Sequence, residues 1–358
     1  MAVKGNRNTA LDLMKIVGAT LIILHHYQQG TKIILEHITF FNGKFNFGYV
    51  VEMFFVISGF LTYKGIEKHI EKNGKPPDFW TFGRGKARRI VPLLAISVVL
   101  EALLRYSYVR MAGECELNFA LLDILVNATA TGWGIFSTVT INQPTWYLSV
   151  LMLCYMEIYV SLWLSDRAKM KPDCLWLLLM ALGVAANTYG WKAPFIGGSI
   201  GRGMFSFFAG TLISKHLRME KKRSDMALAL LPLILLFLLK YFHDFVSSGA
   251  FVFYTLFLWL PIVQLGLKYI PKPQYGGRII EVLGMASFGV YIWNEPLSVV
   301  RDMASMAYGI NLRTVGTMAL FTACNWIVGV CSYFLLERPI DNLIRNGTSK
   351  EMPMHENT

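Results

Sequence analysis

Ten stretches of this chain, at roughly 10–28, 47–64, 90–110, 144–164, 174–190, 197–214, 226–242, 249–268, 278–298 and 314–336, are apolar with few interruptions. Each is close to the ~20 residues a helix needs to span a hydrocarbon core. A soluble core has no way to absorb so many runs of that length, whereas a bilayer does. The composition agrees: 54% of the 358 residues are hydrophobic and 16% are charged, against about 25% charged in ordinary soluble domains. The expected fold class is all-α, a polytopic membrane protein of about ten transmembrane helices. The first run ends in LHHYQQG (24–30), which is no small-residue cleavage site, so it reads as a retained helix.

Ten spans put both termini on one face. With the N-terminus inside, the inner segments hold 24 of the 34 Lys and Arg residues and the outer loops 8, with Lys15 and Arg202 inside spans. That asymmetry predicts N-in/C-in topology. It also accounts for the net charge of +11 without nucleic acid as a partner. The five cysteines, Cys115, Cys154, Cys174, Cys324 and Cys331, form no CxxC pair and read neither as a disulfide framework nor as a metal cluster. The stretch 117–136, broken by Gly and Thr, reads as a loop or re-entrant segment. The sequon at Asn127-Ala-Thr129 reads as a chance occurrence. The chain divides into a membrane domain, 1–340, and a short polar cytoplasmic tail, 341–358.

An ionisable residue inside a span is costly and is a functional candidate by default. The topology gives each a depth. Lys15 lies near the inner face of the first helix and His26 near its outer end. Glu52, Trp146 with Tyr147, Arg202, and Trp293 with Asn294 and Glu295 also fall at the outer level, on four further helices. Lys15 and His26 are eleven residues apart, about 20° from three full turns, so they share a helix face about 16 Å apart. His25 points about 100° away and reads as an interfacial or packing residue. His26 taken alone reads as interfacial too. Glu52 beside it would make a base with its orienting carboxylate, and Arg202 is the rival partner for Glu52. Trp146, Tyr147 and Trp293 suit either an aromatic belt or stacking on sugar rings. The run GRGKARRIVP brings Arg84, Lys86, Arg88 and Arg89 in front of the third span, as a positive-inside anchor or as a phosphate site. Pro92 is expected in that helix's first turn, where proline is tolerated.

In order along residues 7 to 340, these stretches resemble the acyltransferase family 3 membrane proteins, which O-acylate cell-surface glycans. ALDLMKIVGATLIILHH resembles the family's first helix, with Lys15 at its Arg position and His26 at its His position. GYVVEMFFVISGFL resembles its GVD-x-FFVISGF stretch, with Glu52 replacing Asp. KARRIVP, TWYLSVLMLCY, SFGVYIWNEPL and the late Glu337-Arg338-Pro339 also match, and Asn294 stands where the family often has His. The resemblance implies an acyl-CoA donor, most simply acetyl-CoA, and no metal. Phosphates of the donor would engage Lys86, Arg88 and Arg89, and its pantetheine arm would pass Lys15. His26 would act as base or acyl carrier and Glu52 would orient it. Arg202 or Asn294 would polarise the thioester, and Trp146, Arg202, Trp293 and Asn294 would contact a carbohydrate acceptor. The implied setting is the lipid bilayer of a bacterial inner membrane. A transporter or exporter using the same polar path, or an inactive scaffold prompted by Asn294, are the other function classes open to this chain.

Overall fold

The computed structural model describes residues 7–35, 39–41, 46–113, 119–132, 139–143, 145–193, 195–217, 220–221, 223–242, 249–271, 273 and 275–350. Each of the ten apolar runs holds a helix. In chain order the helices are α1 (Thr9–Thr31), α2 (Val50–Asn73), α3 (Phe79–Ala112), α4 (Leu121–Ala128), α5 (Thr145–Ala168), α6 (Pro172–Thr188), α7 (Gly198–His216) and α8 (Arg223–Phe242). A further rod is built from α9 (Ala250–Phe253), a π-helical stretch (Tyr254–Trp259) and α10 (Leu260–Tyr269). Then come α11 (Gly277–Tyr308), α12 (Val315–Ser332) and, across a π-helical turn at Tyr333–Glu337, α13 (Arg338–Lys350). A two-residue hairpin pairs Lys192–Ala193 with Ile196–Gly197.

Six of these rods are long and apolar enough to cross a membrane: Thr9–Thr31, Phe47–Asn73, Phe79–Ala112, Thr145–Ala168, Ala250–Tyr269 and Val315–Ile344. The fold is an all-α polytopic membrane architecture. Asn8 opens α1 by accepting hydrogen bonds from the Ala10 and Leu11 amides, and Asp78 opens α3 by accepting from Thr81, the usual remedy for unpaired N-terminal N–H groups.

Two corrections concern the basic segment. The segment between the second and third predicted spans, 65–89, is largely helical, because α2 runs on to Asn73 and α3 starts at Phe79. Pro92 therefore lies inside α3, and Lys86, Arg88 and Arg89 project from a helix. The stretch 117–136 holds the two-turn helix α4. Asn127 there is buried, its amide donating to the carbonyls of Asp123 and Val139, so it is not presented for glycosylation.

Close helix contacts are made through small residues, as expected where no hydrophobic force separates helix from lipid. A Cβ at Gly59 of α2 would meet the Phe207 carbonyl of α7, and one at Gly210 would meet the Val56 carbonyl. This explains much of the FFVISGF stretch. Phe55 is in the core, Phe54, Ile57 and Ser58 face a cavity, and Gly59 lets α7 approach. Ion pairs tie other helices together: the buried pair Lys268 to Asp225 at 2.9 Å between α10 and α8, and the half-buried pair Arg105 of α3 to Glu295 of α11 at 3.2 Å.

Candidate active site

The termini of the rods define two ends. The N-terminal halves of α1, α3 and α11, the first half of α5 and the middle of α2 surround a cavity of about 160 Å³ at what we term the basic end. Lys15, Lys86 and Arg89 line it, together with Tyr147, Tyr155 and Tyr291, and among the described residues no carboxylate does. Lys86 donates to Thr62 Oγ1 at 2.9 Å and lies 4.2 Å from the Tyr155 ring centroid. Lys15 is 3.6 Å from Asp12, but that carboxylate is already held by both Nε and Nη2 of Arg7, at 3.0 and 2.6 Å. Arg89 has no ion-pair partner among the described residues. The cavity therefore presents cations in excess of anions, which suits an anionic ligand.

Arg88 departs from expectation. It lies 3.9 Å from Asp341 of α13 and does not reach the cavity. The helical phase explains this. Arg89 is about 60° from Lys86 around α3, whereas Arg88 is about 160° away.

At the other end, two larger cavities flank the last turns of α1. One, of about 330 Å³, is lined by His25, His26, Tyr49, Trp146, Arg202 and Tyr291 among others. The second, of about 460 Å³, is lined by His26, Arg105, Glu295, Arg301 and Asp302 among others. His26, Gln29 and Gln143 belong to both walls. The first of these cavities meets the basic cavity at Tyr291, whose ring packs 5.6 Å from that of Tyr147 and 6.4 Å from that of Phe54. An aromatic girdle thus stands between the basic end and His26.

The expected pairing of Glu52 with His26 is corrected by these hydrogen bonds. Arg202 Nε donates to Glu52 Oε1 at 2.7 Å, and Glu52 is fully buried. The guanidinium also sits between two rings, 5.1 Å from Tyr49 and 5.3 Å from Trp146. Glu52 is therefore the counter-ion of Arg202, and it fixes a cation–π wall. His26 is oriented from its own helix instead. Its Nδ1 lies 3.1 Å from Gln29 Oε1. With that oxygen as acceptor, Nδ1 carries the proton and Nε2 keeps its lone pair. His25 is anchored by Nδ1 to the Phe40 carbonyl at 2.9 Å and packs against Phe41.

Residues 8–336 match the family model described as an acyltransferase domain, acyltransferase family 3. The chain belongs to that family. It is a membrane acyltransferase by family, with an acyl donor and an acceptor as its substrates. No curated protein and no solved structure matches the chain.

Within this acyltransferase domain, Trp293 and Asn294 do not line any of the three cavities, contrary to expectation; both are buried among the helices. The residues of α11 that face the two cavities at the histidine end are Tyr291, Glu295, Ser298, Val299, Arg301 and Asp302, which span a broad face of the helix. Trp293 lies about 160° from Tyr291 around the helix, whereas Asn294 shares the flank of Arg301 and is fully buried. Sequence reasoning also passed over Glu101 and Arg105, joined at 2.8 Å. An acidic and a basic residue four apart inside the third apolar run were a sufficient signal.

Proposed function

We propose that this protein is an integral membrane O-acyltransferase that moves an acetyl group from acetyl-CoA to a hydroxyl of a cell-surface polysaccharide or lipid-linked glycan. Its setting in this reading is the bacterial inner membrane, with both termini and the basic end facing the cytoplasm. The observation that carries the reading is the placement of His26. Its ring stands in a wall shared by two cavities, with Nδ1 bound to an amide oxygen and Nε2 left to accept a proton.

The roles follow from the site. Lys15, Lys86 and Arg89 hold the phosphates of the donor in a cavity without carboxylates, each charge-assisted contact contributing roughly 1.5–3 kcal/mol. The acyl-bearing arm extends past Tyr291 toward His26, about 16 Å from Lys15 along α1. His26 Nε2 takes the proton of the acceptor hydroxyl as its oxygen attacks the thioester carbonyl. The carbon–sulfur bond then breaks, the CoA thiolate takes up the proton, and an ester and CoA result. The imidazole held by a neutral amide follows the logic of His–Asn pairs in other acyl-transfer sites. Arg202, fixed by Glu52 and facing the Trp146 cavity, is placed to stabilise the oxyanion.

Purified protein in nanodiscs, given labelled acetyl-CoA and glycoside acceptors, tests this. Wild type should form a labelled ester, and His26→Ala should lose it by about 10²-fold or more. Equal label transfer by both proteins would remove His26 from the mechanism.

A further inference from the structure

The cavity of about 460 Å³ beside His26 differs from its neighbours in how its charges are arranged. Arg105 reaches Glu295 at 3.2 Å and Glu101 at 2.8 Å. Arg301 reaches Asp302 at 2.8 Å through Nε and 2.7 Å through Nη2. Lys32 lines the same cavity, so the three cations Lys32, Arg105 and Arg301 are matched by the three carboxylates Glu101, Glu295 and Asp302, an arrangement that offers many hydrogen-bond donors and acceptors but little net field. It favours a neutral polyhydroxyl ligand over a phosphate or a carboxylate.

A second observation is independent of the pairing. The Arg301 side chain is 8% exposed, and its Nη1 is buried with no hydrogen-bond partner among the described residues. The guanidinium is held 5.1 Å from the Tyr27 ring centroid and 5.2 Å from that of Phe321. Gly30 leaves room beside it, since a Cβ there would stand 3.1 Å from Arg301 Nη2. A buried guanidinium nitrogen without an acceptor leaves the full desolvation cost of that donor uncompensated. An acceptor oxygen brought by a ligand would relieve it.

The connectivity of the cavities separates two routes. The basic cavity meets the Trp146–Arg202 cavity at Tyr291 and shares no residue with the Arg301 cavity. The Arg301 cavity meets the Trp146–Arg202 cavity at His26, Gln29 and Gln143. We propose that the Arg301 cavity is the acceptor site and binds a neutral, hydroxyl-rich glycoside with Arg301 and Asp302 as hydrogen-bonding partners. The Trp146–Arg202 cavity receives the acylated end of the donor. This inference rests on the acyl-transfer reading for what is delivered to His26, and it reassigns the acceptor away from Trp146, Trp293 and Asn294.

Two measurements test it on the full chain in nanodiscs. In the first, a hexoside carrying a diazirine is photolysed with the protein and the labelled peptides are identified by mass spectrometry. Label should fall on the segment containing Glu295 to Asp302 and disappear with an excess of the parent hexoside. Displaceable label confined to the peptide of Trp146, or no displaceable label at all, overturns the proposal. In the second, label transfer from acetyl-CoA to the same hexoside is followed for Arg301→Lys and Asp302→Asn. Each should raise the acceptor KM at least tenfold and leave the acetyl-CoA KM within twofold. A shift in the donor KM, or in neither, counts against the site. Competitive photolabelling at Glu295–Asp302 in a protein whose His26→Ala variant transfers acetyl normally would leave the glycoside site standing and sink the catalytic reading alone.

Discussion

The two ends of this helix bundle handle charge in opposite ways. At the basic end Lys15, Lys86 and Arg89 line a cavity without a carboxylate, and the one acid near Lys15 is taken by Arg7. At the histidine end, Arg202 is neutralised by Glu52, Arg105 by Glu101 and Glu295, and Arg301 by Asp302. Unneutralised cations in a low-dielectric setting await an anion, and paired charges present hydrogen bonds without a field. On the proposed reading the contrast suits each end to a different kind of ligand, with His26 and the Tyr291 girdle between them.

The largest expected effect lies at the junction. His26→Ala should lower kcat by about 10²- to 10⁴-fold, the range for loss of a general base, measured as label transfer from acetyl-CoA. Unchanged stability in the same variant would confine the loss to chemistry. Next comes the structural pair at the histidine end. Glu52→Gln should destabilise the protein by about 3–5 kcal/mol, because it strands a buried Arg202. The double variant Glu52→Gln, Arg202→Met should recover part of that loss in a thermal unfolding assay. Recovery without restored activity would keep Arg202 in the chemistry as well as the scaffold.

The basic end should respond in donor affinity. Lys86→Ala and Arg89→Ala should each raise the acetyl-CoA KM by about 10- to 100-fold with the acceptor KM unmoved. Raising the salt should weaken donor saturation and spare acceptor saturation, since partly exposed cations are screened and paired charges gain little from the ions. An equal salt effect on both substrates would break the contrast between the ends. The smallest effect is expected from Trp293→Phe. This residue lines none of the three cavities, so the acceptor KM should stay within about twofold even though shrinking a buried side chain lowers stability.

Much of this was legible in the sequence because helices and bilayers impose few periods. The eleven-residue interval from Lys15 to His26 placed both on one stripe, and the stripe runs from the basic cavity to the shared wall. Membrane depth alone brought Glu52, Trp146 and Arg202 to one level, where Arg202 now bonds to Glu52 and packs beside Trp146. Helix phase was harder to read. The motif YIWNEP offered Trp293 and Asn294 as its chemical residues, but the face turned to the cavities carries Tyr291 and Glu295. An apolar helix surrounded by others gives no amphipathic signal to choose between them. The same ambiguity sent Arg88 toward Asp341 instead of the cavity. The choice of Glu52's partner was a matter of lateral packing, which no spacing within one helix encodes.

The most direct test of two substrates meeting at His26 from opposite ends is compartmental. Protein of uniform orientation in sealed proteoliposomes is given acetyl-CoA on one face and a membrane-impermeant glycoside on the other. Ester should form when acetyl-CoA is on the face of the basic end and the acceptor on the opposite face, and it should vanish when the two are exchanged. Ester formation only when both substrates share one face would contradict the account.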